Sequence, residues 1–216
     1  KKPEQKKWYG GETISLGIGQ GYNTFTMLQL ASATATLASG GMQFKPHVVT
    51  ATQDALTHVP TQVNSPEPLN LGFKPEHMSV VRNGLVGVVT SGTSARVFAG
   101  AGYSSAGKTG TAQAVTIGQK DKYNAANLSE YQRDHALYMA YAPAEAPKIA
   151  VAVVVENAGF GAASAAPIAR RVFDYWLLGQ YPSEEDMAAT QKGQTASPIG
   201  KPRTKQDVPL EARRLN

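Results

Sequence analysis

Apolar side chains recur every three or four positions in three stretches of the chain, which is the spacing of an amphipathic helix. The first stretch begins with a capping box at residues 26 to 29 and ends at Gly40, which predicts a helix of about 14 residues. The second covers residues 75 to 91 and has proline at its first position. The third begins at Pro167 and ends at Gly179, and we expect its apolar stripe to cover a sheet. That stripe consists of Ile168, Val172, Tyr175 and Trp176.

Two other regions carry the β-branched or alternating pattern of strands. The segment KPHVVTATQ, residues 45 to 53, predicts one short strand. Residues 107 to 156 contain three further runs, and the turn APAEAP separates the last two. Because a short turn returns the chain antiparallel to itself, these runs predict a three-stranded meander. The expected fold class is therefore α+β, with helices packed on the faces of an antiparallel sheet.

Composition limits the classes of partner and site. The net charge is +5, but the Lys and Arg residues are dispersed, so no nucleic-acid surface is predicted. The chain lacks cysteine and its four histidines show no ligand spacing, so we predict neither a metal site nor a cofactor. Residues 183 to 216 are rich in Gln, Thr, Pro and charge, which predicts a disordered tail after a folded region of residues 1 to 182.

The segment GYSSAGKTGTAQ, residues 102 to 113, has two chemical interpretations. From Gly102 to Thr109 it fits the phosphate-binding loop of a nucleotide hydrolase, and from Lys108 it is a Lys-Thr-Gly-Thr strand that lines a serine acyl-transfer site. A phosphate-binding loop needs a buried strand before it and a helix after it. Glycine at position 110 and the alternating residues that follow favour a strand. The nucleotide-hydrolase interpretation stays as the alternative, with Glu156 after an apolar run as its weak second motif.

A Lys-Thr-Gly-Thr strand at a sheet edge suits a peptide that ends in a carboxylate. Gly110 leaves the backbone uncovered, so that an extended peptide can pair with it. Thr109 and Thr111 supply hydroxyl donors, Lys108 supplies a cation, and the Thr111 N–H can face a developing oxyanion. Strand alternation places Lys108 and Thr109 on opposite faces, so either the lysine reaches around the strand or the strand twists.

Five segments in order carry a resemblance to a known family: GIGQGYNTFTMLQLASATATLASGG, KPHVV, GKTGTAQ, HALYMAYAP and IAVAVVVENAGFG. Over about residues 8 to 179 the chain resembles the transpeptidase domain of class B penicillin-binding proteins, and its opening resembles their cell-elongation members. The resemblance implies the penicillin-binding, serine β-lactamase-like fold. It also implies a serine D,D-transpeptidase that cross-links peptidoglycan stem peptides and is acylated by β-lactams.

The same resemblance assigns roles within the strand motif. Lys108 and Thr109 are expected to hold the carboxylate of substrate or antibiotic, and the Thr111 amide is expected to complete the oxyanion hole. Lys108 and Thr111 are thus the predicted catalytic residues. Gly110 belongs to the binding motif, and Gln113 is expected to touch substrate at the far end of the strand.

The chain departs from the family because two further motifs, Ser-x-x-Lys and Ser-x-Asn, normally precede this region. The chain has no Ser-x-Asn, and its one Ser-x-x-Lys, from Ser105 to Lys108, overlaps the strand motif. A strand would separate that hydroxyl from its amine, so Ser105 is not expected to be the nucleophile. We therefore expect the chain to be the C-terminal part of the domain and to be inactive alone.

The resemblance also implies partners and a location. The expected partners are stem peptides, β-lactams, the upstream half of the same domain, and the glycosyltransferase and other proteins of the elongation complex. The expected location is the periplasmic face of the bacterial inner membrane, with an anchor upstream of this chain. D,D-carboxypeptidases and β-lactamases share the strand motif and remain alternatives.

Overall fold

A computed structural model of the chain describes residues 7–114, 124, 128–194 and 197–208. The described helices are α1 (Gly10–Gly17), α2 (Met27–Ala38), α3 (Pro75–Thr90), α4 (Ala95–Phe98), α5 (Gly161–Leu178) and α6 (Glu184–Gln191). The described strands are β1 (Met42–Gln43), β2 (Ala51–Gln53), β3 (Pro60–Gln62), β4 (Leu69–Asn70), β5 (Ala106–Ala112), β6 (His135–Ala142) and β7 (Ile149–Val155). The helix–sheet mixture confirms the α+β prediction.

The central sheet is the predicted meander, with the strand order β5-β6-β7 and antiparallel pairing throughout. Its register places Lys108 opposite Met139 and Thr109 opposite Tyr138. Among the described strands, β5 pairs only with β6, so it forms one edge of this sheet. The Lys-Thr-Gly-Thr motif therefore lies on an edge strand.

Helices cover both faces of the sheet. Side chains on β6 alternate between the two faces, so β6 contributes to the packing on each. On one face, small residues of α5 and Phe173 pack against Ala136, Tyr138 and Ala140. On the other face, Tyr141 packs with Ala38 of α2 and Leu85 of α3. The neighbouring strand β5 contacts both α3 and α5.

The first two predicted helices lie where the sequence places them. Thr26 accepts a hydrogen bond from the Gln29 N–H at 3.2 Å, and the Gln29 side chain accepts one from the Thr26 N–H at 2.9 Å. The helix that Pro75 opens ends at Thr90. Both predictions are confirmed. The capping box of α2 and the first-turn proline of α3 are local signals that need no tertiary partner.

The predicted strand at residues 45 to 53 forms only from Ala51 to Gln53, where it pairs with β3 in an exposed hairpin. The preceding Val48 is 96% exposed. This apolar position packs against no core, and β-branched residues favour strands mainly through packing.

The third helix differs from its prediction in both its start and its buried face. It begins at Gly161, and Pro167 lies inside it. The face buried against the sheet carries small side chains and Phe173, whereas Trp176 of the predicted stripe is 62% exposed. Alanine lets the helix approach the sheet closely, so size and shape decided which face is buried.

The region after residue 183 also differs from the predicted disordered tail, because residues 184 to 191 form α6. The Ser183 hydroxyl caps this helix by accepting a hydrogen bond from the Asp186 N–H at 2.9 Å. Asp186 is 1% exposed and forms a two-pronged ion pair with Arg171 of α5, at 2.8 and 2.6 Å. Charge-rich sequence therefore orders here by pairing its charges. Residues 195–196 and 209–216 of the predicted tail lie outside the described residues.

None of the helices in the described ranges is both long and apolar enough to cross a membrane.

Candidate active site

The Lys-Thr-Gly-Thr residues of the GYSSAGKTGTAQ segment, which has two chemical interpretations, lie on a β-strand. Residues 106 to 112 form β5, and the described residues that follow, 113 and 114, are not helical. A phosphate-binding loop requires a helix N-terminus at this point, since the first free N–H groups of the helix bind the phosphate. In addition, β7, which precedes Glu156, runs antiparallel to β6 rather than in a parallel sheet. The nucleotide-hydrolase alternative is therefore wrong.

Two side chains donate hydrogen bonds to backbone carbonyls on the free edge of β5. The Lys108 Nζ donates a hydrogen bond to the Thr109 carbonyl at 2.6 Å, and the Gln20 amide donates one to the Thr111 carbonyl. These carbonyls accept side-chain donors and so face away from β6. In an antiparallel strand the N–H and C=O of one residue point to the same side. The N–H groups of Thr109 and Thr111 therefore lie on the free edge, where an extended ligand can reach them.

The Lys108 side chain reaches around the strand to this edge. Strand alternation places its Cβ on the face opposite to that of Thr109, yet its amine contacts the Thr109 carbonyl. The first of the two sequence-based solutions, a lysine that reaches around, is the one observed. The ammonium group is exposed and lies beside the Thr109 and Thr111 backbone, so it gives the edge a positive charge.

Close backbone packing surrounds Gly110. A Cβ built on Gly110 would lie 3.3 Å from the Leu137 Cβ on β6. A Cβ built on Gly161, the first residue of α5, would clash with the Leu137 carbonyl and lie 2.6 Å from the Gly110 carbonyl. The α5 N-terminus thus rests on the backbone of the motif strand. The close approach at Gly161 was not predicted, although the small residues around it are a signal of close packing.

The turn between α3 and α4 also contacts the motif. The hydroxyls of Thr93 and Thr109 lie 3.0 Å apart. The next residue, Ser94, is fully buried and donates to the Val88 carbonyl at 3.1 Å, and its hydroxyl lies 3.0 Å from the Tyr138 hydroxyl. Neither Thr93 nor Ser94 was predicted, because nothing in SGTS indicates which strand it meets.

Burial controls the ionisation of Tyr138, which lies opposite Thr109 on β6. Desolvation raises the pKa of Tyr138 to about 12, and the hydrogen bond with Ser94 opposes part of this effect. The phenol therefore stays neutral to a higher pH than an exposed tyrosine does. A Cβ on Gly107 would lie 2.5 Å from the phenol oxygen, so Tyr138 needs glycine at that position of β5.

Ser105 lies just before β5 with only 3% of its surface exposed. Among the described residues, its hydroxyl has no hydrogen-bond partner, and the Lys108 amine bonds the Thr109 carbonyl instead. A nucleophilic serine needs a base within hydrogen-bond reach. This geometry supports the expectation that Ser105 is not the nucleophile.

The far end of β5 is bordered by a fixed loop. Gln113 is exposed immediately after the strand. His135, which lies opposite Ala112, accepts a hydrogen bond at Nδ1 from the Asn157 N–H at 2.9 Å. The Asn157 side chain also donates to the Arg133 carbonyl at 3.1 Å. Asn157 adopts a φ of 57°, a left-handed conformation that asparagine tolerates.

Comparison with known proteins identifies relatives for most of the chain. Residues 2–174 match the family model described as the penicillin binding protein transpeptidase domain. The chain is 46% identical over 178 residues to the peptidoglycan D,D-transpeptidase MrdA of Acinetobacter baumannii, covering 82% of this chain and 26% of that protein. It spans between 26% and 28% of the length of the first curated relatives it matches.

Solved structures with the same fold agree with this match. Penicillin-binding protein 2 of Pseudomonas aeruginosa, in complex with WCK 5153, superposes with a TM-score of 0.62 at 35% identity, covering 94% of this chain and 38% of that one. Penicillin-binding protein 2 of Helicobacter pylori, in complex with MreC, superposes with a TM-score of 0.61 at 26% identity, covering 82% of this chain and 30% of that one.

Proposed function

The chain belongs to the penicillin-binding protein transpeptidase family, and we propose that it is the C-terminal part of a serine D,D-transpeptidase that cross-links the stem peptides of peptidoglycan. The observation that carries this proposal is the free edge of β5. There the Thr109 and Thr111 backbone groups and the Lys108 ammonium converge, with hydroxyls on the adjoining face. An edge of this kind fits an extended peptide with a terminal carboxylate.

In the proposed reaction, a serine hydroxyl supplied by the preceding part of the protein attacks the carbonyl of the stem peptide's last peptide bond. The serine proton passes to a base, the C–N bond breaks, and the terminal D-amino acid leaves with a proton on its amine. The amine of a second stem peptide then attacks the serine ester. This step forms the cross-link and returns the proton to the serine oxygen.

Residues of the present chain hold the substrate and stabilise charge in both steps. Lys108 and Thr109 bind the terminal carboxylate, because a cation and a hydroxyl donor offer it charge-assisted hydrogen bonds. The Thr111 N–H donates to the oxyanion of each tetrahedral intermediate, a role in which one donor contributes about 3 kcal/mol in other enzymes. Gly110 keeps the groove open, and Gln113 contacts substrate beyond the strand.

We also propose the partners and location that belong to this function. The Helicobacter pylori relative was solved with MreC, which supports an elongation-complex partner for this protein as well. A glycosyltransferase that makes the glycan strands is the second expected partner. Cross-linking takes place outside the inner membrane, so the site is placed at the periplasmic face, with the anchor in a part of the protein outside this chain.

Covalent labelling of the full-length protein with penicillin G tests the proposal. A β-lactam acylates the nucleophilic serine without loss of atoms, so intact-mass spectrometry should show one adduct of the mass of penicillin G. Absence of an adduct would contradict the proposal. A D,D-carboxypeptidase or β-lactamase would also be acylated, but these enzymes transfer the acyl group to water. Product analysis with two stem peptides should therefore yield a cross-linked dimer rather than hydrolysed peptide or antibiotic.

A further inference from the structure

The turn between α3 and α4 presents a hydroxyl to the carboxylate-binding residue of the motif. We propose that Thr93 is a positioning residue: its hydroxyl fixes the Thr109 hydroxyl so that the Thr109 proton points to the ligand carboxylate. The inference rests on the proposed transpeptidase function and assigns a role to a residue outside the Lys-Thr-Gly-Thr strand.

The two hydroxyls are placed to interact directly. Their oxygen atoms lie 3.0 Å apart, within hydrogen-bond range. Thr93 is exposed and Thr109 is half-buried, so solvent and ligands can reach the pair. Thr109 lies beside the Lys108 ammonium, which bonds the Thr109 carbonyl at 2.6 Å. The pair therefore occupies the positively charged part of the free edge.

The turn that carries Thr93 is held rigidly on both sides. On one side, a Cβ on Gly92 would lie 2.7 Å from the Val88 Cα, so the backbone doubles back tightly there. On the other side, the buried Ser94 hydroxyl binds the Val88 carbonyl and lies 3.0 Å from the Tyr138 hydroxyl. Tyr138 lies opposite Thr109 in the β5–β6 register. Thr93 and Thr109 are thus fixed relative to the same pair of strands.

The donors and acceptors available determine which hydroxyl of the Thr93–Thr109 pair donates when a carboxylate is bound. A threonine hydroxyl has one proton and two lone pairs, and an ionised carboxylate can only accept. Hydrogen bonds to ionised acceptors are the stronger ones, so the Thr109 proton goes to the carboxylate. Thr93 then donates its own proton to a Thr109 lone pair. This second bond prevents the Thr109 hydroxyl from rotating away from the ligand.

The test compares acylation of the full-length protein by penicillin G and by its methyl ester, which has the same reactive ring but no ionised carboxylate. Thr93→Val, which keeps the side-chain shape without the hydroxyl, should slow acylation by penicillin G by about 3- to 10-fold and leave the ester rate unchanged. Thr93→Ser should restore most of the penicillin G rate. Thr93→Ala, which adds no bulk, should reproduce the Thr93→Val loss.

Two controls separate positioning from folding. Thr90→Val removes a hydroxyl from the same region, but that hydroxyl bonds the Val86 carbonyl of its own helix at 3.1 Å, so the acylation rates should not change. In a Thr109→Val background, Thr93→Val should cause no further loss with penicillin G. The thermal midpoint of each variant is measured alongside the rates.

Three results would overturn the inference, and they differ from one another. If the unsubstituted protein is not acylated, the proposed function itself fails. If it is acylated and Thr93→Val reacts at the same rate, only the role of Thr93 is wrong. If Thr93→Val slows penicillin G and its ester equally, Thr93 supports the strand without directing the carboxylate contact.

Discussion

The Lys108 ammonium lies at the free edge of β5, although the Lys108 Cβ projects from a face of the strand. The sequence predicted this requirement, because alternation separates positions 108 and 109. The sequence could not predict that the amine bonds the Thr109 carbonyl, because several side-chain torsions set that contact. Gln20 illustrates the same limit, since its contact with Thr111 joins residues 91 positions apart.

Removal of the Lys108 amine should weaken binding of the ligand carboxylate. Lys108→Ala is expected to lower the second-order rate of penicillin G acylation of the full-length protein by about 10- to 100-fold, since a charge-assisted hydrogen bond is lost. Stopped-flow or gel-based labelling measures this rate. Lys148→Ala is the matched control, because Lys148 is also exposed but lies before β7. Equal rates for both variants would exclude a binding role for Lys108.

Tyr138 should make stability depend on alkaline pH. Its pKa rises from 10.0 to about 12 on folding, so its contribution is complete below pH 10 and is lost as the pH rises toward 12. Burial and Asp174 also raise the pKa of Tyr103, so both phenols contribute to this loss. Tyr138→Phe should reduce, without abolishing, the fall in thermal midpoint between pH 10 and pH 12.

The same variant has a separate cost at neutral pH. Loss of the phenol hydroxyl removes the bond to Ser94, which should lower the free energy of unfolding by about 1 kcal/mol. An alkaline fall as steep as that of the unsubstituted protein would show that Tyr138 does not titrate as its burial indicates.

At the scale of elements, local signals were sufficient for α2 and α3 and insufficient for α5. The Thr26 capping box and the proline at position 75 act within one helical turn, so the sequence predicted both helices. Pro167 carries a similar signal, yet the helix extends six residues before it to Gly161. The reason is tertiary: the first turns of α5 pack their small side chains, including Ala165, against the sheet.

Gly161 is the position where this packing is least tolerant. Gly161→Ala should lower the thermal midpoint of the protein and cost about 1–3 kcal/mol, because a methyl group would overlap the β5 and β6 backbone. Gly84→Ala is the control: it lies within α3 with open space around it and should stabilise the helix by up to about 1 kcal/mol. If both variants melt alike, the α5 N-terminus does not contact the strands as described.

At the scale of the whole molecule, the segment after α5 is attached through charge. Arg171→Ala would leave Asp186, 1% exposed, without its guanidinium partner, which should cost about 3–5 kcal/mol. Limited proteolysis should then cut the segment around α6 more rapidly. Glu184→Gln is the control, because Glu184 pairs with Arg203 at an exposed position and should change stability by less than about 1 kcal/mol. Equal proteolysis of both variants would show that the Arg171 pair does not hold α6.

The exposed edge of the central sheet has a consequence for solubility. The free edge of a strand is a template to which another chain can add a strand. Such edges promote aggregation unless charged side chains or other features block them. Here the Lys108 ammonium and the Gln20 amide already occupy two carbonyls of β5, so an incoming strand must displace both. The carboxylate of a short peptide can pair with the displaced Lys108 ammonium, which compensates for the lost contact. A neutral β-strand of another protein offers no such group. We therefore expect Lys108, the residue proposed to bind the ligand carboxylate, to act also as a gatekeeper against edge-to-edge assembly of strands.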